Sequence, residues 1–336
     1  MKYGVLQLIL IFLFSAGAIN CSAGDYITTI WSSKKYSAFT SLQYVNGFFY
    51  CAFREATKHR VDINDLTTLG KIIVIRSSNM KDWSLYTSIK KDSCDMRDPN
   101  LSLTPDGRIV LLYFSRSYAV SGTKDKLCSY VVFGNDKGLV TSPEPIKING
   151  YNHEYRWLWK IRWHKNKAYG FMYGSDFLFL TSSDGINYDI LYSGKQFGER
   201  VTEAVVIFKK DTAIAVARGL NNKGLYGIAY APFISWDWKK MNIGVAGPDL
   251  LQLPNEQILL GTRNYQEQLG QTSLYELLDN NARLIETIDE ARDSSYPSFL
   301  IMNNNVYMSY YAGNKNCTSI KAIRIPIIEL EKLCVK

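Results

Sequence analysis

The stretch Glu203-Ala204-Val205-Val206-Ile207-Phe208-Lys209-Lys210-Asp211-Thr212-Ala213-Ile214-Ala215-Val216-Ala217-Arg218 decides the fold. Two short apolar runs flank a polar break centred on Lys210-Asp211. Each run is too short for a helix and rich in β-branched side chains, so the pair predicts a strand–turn–strand unit. Both runs are apolar at consecutive positions, so both faces of the unit must be covered by neighbours.

The pattern recurs along the chain. Five further units are Thr40–Phe53 around Asn46-Gly47, Asn100–Phe114 around Pro105-Asp106-Gly107, Leu158–Tyr173 around Lys165-Asn166, Pro248–Arg263 around Pro254-Asn255, and Pro297–Tyr311 around Asn303-Asn304-Asn305. From turn to turn, Gly47, Asp106, Lys165, Lys210, Pro254 and Asn304 are 59, 59, 45, 44 and 50 residues apart. A period near fifty, with several strands in each, predicts an all-β chain folded as a six-bladed β-propeller. The alternative is a β-sandwich or two small β domains, against which no Pro-, Gly- or Ser-rich linker divides the chain. The strand around Tyr26–Trp31 is expected to join the last blade near Ile320–Ile325 and close the ring, which protects its edges.

The chain has 336 residues, 46% of them apolar and 21% charged, an ordinary globular balance. Residues 1–23 have the form of a signal peptide: Lys2, an apolar core from Val5 to Phe14, then small residues. The propeller is therefore expected over 24–336, in a secreted, periplasmic or cell-surface protein. Cys21 raises a possible lipid anchor, although Ala18-Ile19-Asn20 before it is a poor lipobox. No later stretch is long and apolar enough to span a bilayer as a helix. The net charge of +8 is mild and scattered; it favours an anionic ligand and does not argue for nucleic acid. The three histidines, His59, His153 and His164, show no metal-ligand spacing, and no Cys-x-x-Cys occurs. No metal or organic cofactor is expected. In an oxidising compartment Cys317–Cys334 or Cys94–Cys128 bridges are both open. Gly-x-Ser-x-Gly, Walker and Rossmann patterns are absent.

Ser182-Ser183-Asp184-Gly185-Ile186-Asn187-Tyr188 has the form Ser-x-Asp-Gly-x-x-aromatic, and Ser77-Ser78-Asn79-Met80-Lys81-Asp82-Trp83 is a weaker copy. In such a turn the acid or amide side chain bonds backbone amides, glycine takes a positive φ, and the aromatic packs beneath. These turns resemble the Asp-boxes of sialidases and related propellers, and their role is structural.

With Cys51-Ala52-Phe53-Arg54-Glu55, Arg97-Asp98-Pro99-Asn100, Glu203 with Arg218, Arg263, and Ser295-Tyr296-Pro297, the chain resembles the sialidase superfamily over nearly its whole predicted mature length. It looks closest to a bacterial sialidase-like, exo-sialidase branch. The resemblance implies an exo-glycosidase acting on terminal acidic sugars, sialosides first. Arginines hold the substrate carboxylate by paired hydrogen bonds, and a tyrosine replaces the usual carboxylate nucleophile. Carried over by residue, Tyr296 is the nucleophile, Glu203 its base, and Arg218 and Arg263 are clamp arms. Asp98 lines the sugar pocket or shapes the acid loop. The family's first arginine is missing: its Tyr-Arg-Ile-Pro stretch corresponds to Tyr36-Ser37-Ala38-Phe39. Arg54 is a substitute for that arm or, equally, one half of an ion pair. Asp62 is the first candidate for the acid and His59 the second. A non-catalytic glycan-binding propeller, or an altered reaction such as a lyase on another anionic glycan, fits the same residues. Strand alternation puts Trp157, Trp159 and Trp163 on one face, where blade packing accounts for most of them. Trp236 and Trp238 read as packing at a blade's outer edge.

Overall fold

In a computed structural model, residues 27–118, 127–135, 138–139, 141–153, 155–197, 199–265, 270–289 and 291–334 are described. The predicted signal peptide, Cys21 and Tyr26 lie outside them. Six antiparallel blades follow in chain order, each built from the inside outwards. Their innermost strands are Tyr36–Val45, Cys94–Leu103, Tyr155–His164, Thr202–Lys209, Asp249–Gln252 and Asp293–Met302. Each innermost strand touches the next, and the last touches the first, so the ring is closed. The architecture is the expected six-bladed β-propeller. The early strand Ile27–Trp31 pairs antiparallel with Thr318–Pro326 of blade six, Ile27 opposite Ile323. The ring is thus sealed by the N-terminal strand, as expected.

The turns follow local chemistry. Asn46-Gly47, Lys165-Asn166 and Asn303-Asn304 hold consecutive positive φ angles, the two-residue hairpin geometry whose twist matches the strands. In the turn after Ser182, the Asp184 carboxylate accepts the N–H groups of Ile186 and Asn187, both at 2.7 Å. Gly185 sits at φ +77, and Tyr188 is buried. Asn79 accepts the amides of Lys81 and Asp82 at 2.9 Å in the weaker copy.

A shared irregularity positions the site. In five inner strands two residues oppose one on the second strand: Phe39-Thr40, Asp98-Pro99, Trp159-Lys160, Glu203-Ala204 and Tyr296-Pro297. In blade five, Arg263 N–H returns to Ala246 O, which puts Gly247-Pro248 at the same place. Such a bulge bends the strand and re-aims its side chains. Phe39, Asp98, Glu203, Gly247 and Tyr296 all take positive φ there. Four of those five are not glycine, so backbone strain is concentrated around the axis.

The axial edge of each inner strand has no partner strand, so its N–H groups need other acceptors. In four blades the residue directly after the bulge pair supplies one to the adjoining blade. Ser298 Oγ accepts Leu42 N–H at 2.9 Å, Ser41 Oγ accepts Leu101 N–H at 2.8 Å, Asn100 Oδ1 accepts Ile161 N–H at 3.0 Å, and Asp249 Oδ2 accepts Phe299 N–H at 2.9 Å. These bonds hold neighbouring bulges in register.

Cys51, Cys94, Cys128 and Cys317 are free thiols. A Cys94–Cys128 bridge is not formed, because the strand Ile109–Ser117 runs between theirs. Trp236 packs in the outer layer against Phe171 and Phe179, as expected.

Candidate active site

The six bulges bring their first residues together in one cluster at the axis. Tyr296 is central: its ring lies 4.7 Å from that of Phe39 and 6.0 Å from that of Trp159, centroid to centroid. The Tyr296 hydroxyl donates to Glu203 Oε1 at 2.9 Å. Arg218 Nη1 donates to the same oxygen at 2.8 Å. Gly247 N–H donates to Glu203 Oε2 at 2.7 Å. The carboxylate is thus held at both oxygens, with its Oε1 on the phenol. Burial and the negative charges of Glu203 and Asp98 push the Tyr296 phenol well above its ordinary range. It keeps its proton at neutral pH, and only a group in contact, such as Glu203, can take it.

Gly247 is required by the geometry. It lies at φ +57, and a Cβ there would fall 2.6 Å from Tyr296 Cδ2. The signal was in the sequence: Gly247-Pro248 opens a repeat as Asp98-Pro99 and Tyr296-Pro297 do.

Arg218 ends its strand half-buried, with Nε donating to Asn222 Oδ1 at 2.8 Å. Beside it lies a cavity of about 330 Å³ walled by Trp157, Tyr173, Arg200, Glu203, Arg218 and Asn222. Trp157 stacks on Phe114 with ring centroids 3.8 Å apart. It therefore serves both packing and the cavity wall.

Arg263 occupies the equivalent strand end in blade five. Its Nη2 donates to Asp293 Oδ1 at 2.7 Å and also to the Tyr311 hydroxyl. Among the described residues Asp293 accepts three side-chain donors, including Tyr36 Oη at 2.7 Å and Tyr311 Oη at 3.1 Å. No motif in the sequence pointed to Asp293 or Tyr311, and Tyr36, quoted only as part of the stretch that lacks the arginine, reaches Asp293 only when blade six closes against blade one.

Asp98 is buried and accepts Trp159 Nε1–H at 3.2 Å. Burial first, and then Glu203, raise its carboxyl to about 7, so much of it is protonated near neutral pH. Simple alternation would put Trp159 on the same face as Trp157. The bulge between Leu158 and Ile161 turns it into the axial site instead.

Arg54 does not face the cavity. It holds the same register position as Arg218, opposite the residue just before a bulge, but its side chain is fully buried, at 0% exposure. Its Nη2 and Nε donate to Asp95 Oδ1 at 2.7 and 3.2 Å, and its Nη1 to Lys58 O at 3.1 Å. Gly70 makes the space, since a Cβ there would lie 2.3 Å from Arg54 Nε. Of the two readings of Arg54, the structure has the ion pair and not the clamp arm. Ser37, at the missing arginine, is buried between strands and exchanges backbone bonds with Thr318 Oγ1.

The acid candidates separate as well. His59 stacks on Tyr36, with ring centroids 5.2 Å apart. Burial and then the Arg97 charge lower it to about 4. A neutral imidazole at pH 7 is a poor general acid, so His59 is withdrawn as proton donor. Asp62 is partly exposed; its carboxylate lies 3.7 Å from Lys58 Nζ and accepts Asn64 N–H at 3.1 Å. Among the described residues no hydrogen bond joins Asp62 to Tyr296, Glu203 or Asp98.

No protein-family profile matches the chain, and no curated protein matches it by sequence. Solved structures do match its fold. A protein of unknown function from Dyadobacter fermentans has a TM-score of 0.72 at 17% identity, covering 89% of this chain and 98% of that one. The NanB sialidase from Streptococcus pneumoniae has a TM-score of 0.69 at 11% identity, covering 90% and 71%. Trypanosoma rangeli sialidase, solved with 2,3-difluorosialic acid as a covalent intermediate, has a TM-score of 0.64 at 11% identity, covering 89% and 55%. The chain thus spans little more than half the length of the trypanosomal enzyme. These likenesses define the chain as a sialidase-like β-propeller in fold.

Proposed function

We propose that this protein is an exo-glycosidase that hydrolyses terminal acidic sugars, sialosides first, with retention of configuration. The observation that carries this reading is the 2.9 Å hydrogen bond from Tyr296 to Glu203, flanked by Arg218. As the Tyr296 oxygen attacks the anomeric carbon, its proton passes to Glu203 Oε1. A neutral phenol approaches a carboxylated sugar without the repulsion an anionic nucleophile would meet. Arg218 and Arg263 face the acidic sugar, and Asp98 hydrogen-bonds a ring substituent from its protonated form. Asp62, on the loop beyond His59, is the proposed donor to the leaving oxygen. The covalent intermediate of the trypanosomal fold neighbour is consistent with this course. Secretion or display at the cell surface is part of the proposal and rests on residues 1–23.

A fluorogenic sialoside assay on the wild type and on Tyr296→Phe tests it. The variant keeps the ring and loses the attacking oxygen, so turnover is expected to fall by at least about a hundredfold. Unchanged turnover in Tyr296→Phe would sink the mechanism. A second reading, a glycan-binding propeller without catalysis, is favoured by the absence, among the described residues, of a hydrogen bond from Asp62 to the Tyr296–Glu203 pair. It predicts retained sialoside binding with no turnover in the wild type.

A further inference from the structure

The charges around the axis do not balance evenly. Arg218 has Glu203 as its own carboxylate at 2.8 Å, and Arg263 has Asp293 at 2.7 Å. Arg54 and Arg97, by contrast, share one, Asp95. Arg54 Nη2 and Nε reach Asp95 Oδ1, and Arg97 Nε reaches Asp95 Oδ2 at 2.5 Å. Gly70 N–H adds a further bond to Oδ1 at 2.7 Å. Two guanidinium groups on one carboxylate leave positive charge over, and Asp98, the next acid along the chain and raised to about 7, offsets only part of it near neutral pH. Of the two arginines only Arg97 can present that charge: Arg54 is fully buried, whereas 19% of the Arg97 side chain is accessible.

Arg97 is also fixed in place. Its Nη2 donates to His59 O at 2.8 Å, and its Cζ lies 6.0 Å from the centroid of the Phe39 ring. Phe39 is the bulge residue packed on Tyr296. Among the described residues, no hydrogen bond engages Arg97 Nη1.

We propose that Arg97 holds the carboxylate of the ligand, on the blade one–two side of the axis, across Phe39 from Tyr296. The inference rests on the acidic-sugar reading above and locates the anion within that site. The surplus cation comes from the second blade, while Arg218 and Arg263 spend their charge on Glu203 and Asp293. Arg54 is the positioning residue: by filling Asp95 Oδ1 it leaves Oδ2 to orient Arg97. A planar guanidinium with one edge anchored and an open Nη matches a monoanionic carboxylate better than a phosphate dianion, because about one net charge is on offer.

The test is calorimetric titration of wild type, Arg97→Gln and Arg97→Lys with matched acid and neutral probes. These are N-acetylneuraminic acid and its methyl ester, and glucuronic acid and its methyl ester. Wild type is expected to prefer an acid over its ester. Arg97→Gln should lose about tenfold or more of that preference, the worth of one charge-assisted hydrogen bond, and Arg97→Lys should keep part of it. Arg97→Gln leaves Arg54 and Asp95 matched one to one, so its circular dichroism and melting temperature should stay near wild type. Full retention of the acid preference in a folded Arg97→Gln overturns the proposal, as does a wild type with no acid preference. A preference for glucuronate alone, lost in Arg97→Gln, upholds the Arg97 site while rejecting sialosides. Sialic acid preference that survives in Arg97→Gln rejects the Arg97 site while leaving the sialoside reading intact.

Discussion

Gly247→Ala probes whether the bulge geometry builds the site. The added Cβ would lie 2.6 Å from Tyr296 Cδ2 and 2.9 Å from both Cε2 and Cγ. Ordinary carbon contacts need about 3.5 Å or more. The ring must therefore retreat by about 1 Å, away from a hydroxyl partner now at 2.9 Å. Two costs arise. Alanine at φ +57 is strained by about 1 kcal/mol, and overpacking adds about 1–3 kcal/mol. Gly107→Ala isolates the first cost: its φ is +81, and nothing lies within 4 Å of its Cβ. Urea unfolding of the two variants should show Gly247→Ala less stable than Gly107→Ala by about 1–3 kcal/mol. A 1 Å displacement of the nucleophile should also cut turnover about a hundredfold, while Gly107→Ala turns over as wild type does. Equal stabilities of the two variants, with wild-type turnover in both, would refute the reasoning.

Two further predictions concern protons. Asp98→Asn removes a carboxyl raised to about 7. Its raised value means that Asp98 contributes stability fully below the unfolded carboxyl range, near pH 4, and loses it as pH rises through about 7. Asp98→Asn should therefore gain on wild type by up to about 4 kcal/mol between pH 4 and pH 7 in denaturant unfolding; a constant difference across that range would contradict the buried placement. His59 should titrate by NMR with a midpoint near 4, and since its value is lowered, its stabilising contribution is lost as pH falls from about 6.5 through 4. A midpoint near 6.5 would mean that the ring is not packed against Tyr36 beneath the Arg97 charge.

Much of this protein is legible one residue at a time. The apolar runs, the turns at Asn46-Gly47 and Lys165-Asn166, and their spacing define the blades, because hairpin chemistry and strand patterning act over a few residues. The same local register brings Glu203 and Arg218 to facing strand ends, and the repeat places Tyr296 at the matching position of a later blade. Their convergence followed because a closed ring leaves inner strand starts one place to go.

Other features needed the tertiary structure. Arg54 and Arg218 hold equivalent backbone positions, yet one points inwards and the other lines the cavity. Gly70 and Asp95, outside the Arg54 strand, decide that difference by offering space and charge. Trp159 left the face that alternation assigns it because one extra residue reversed its direction. His59 lost its role as an acid to desolvation and to the Arg97 charge, and Asp293 gained partners from strands far apart in the chain. The sequence determined which strands form and in what order they stack, since patterning and turns are local. Where each charged side chain ends up was decided by the ring, because burial, counter-charge and free volume belong to the assembled blades and to no single one of them.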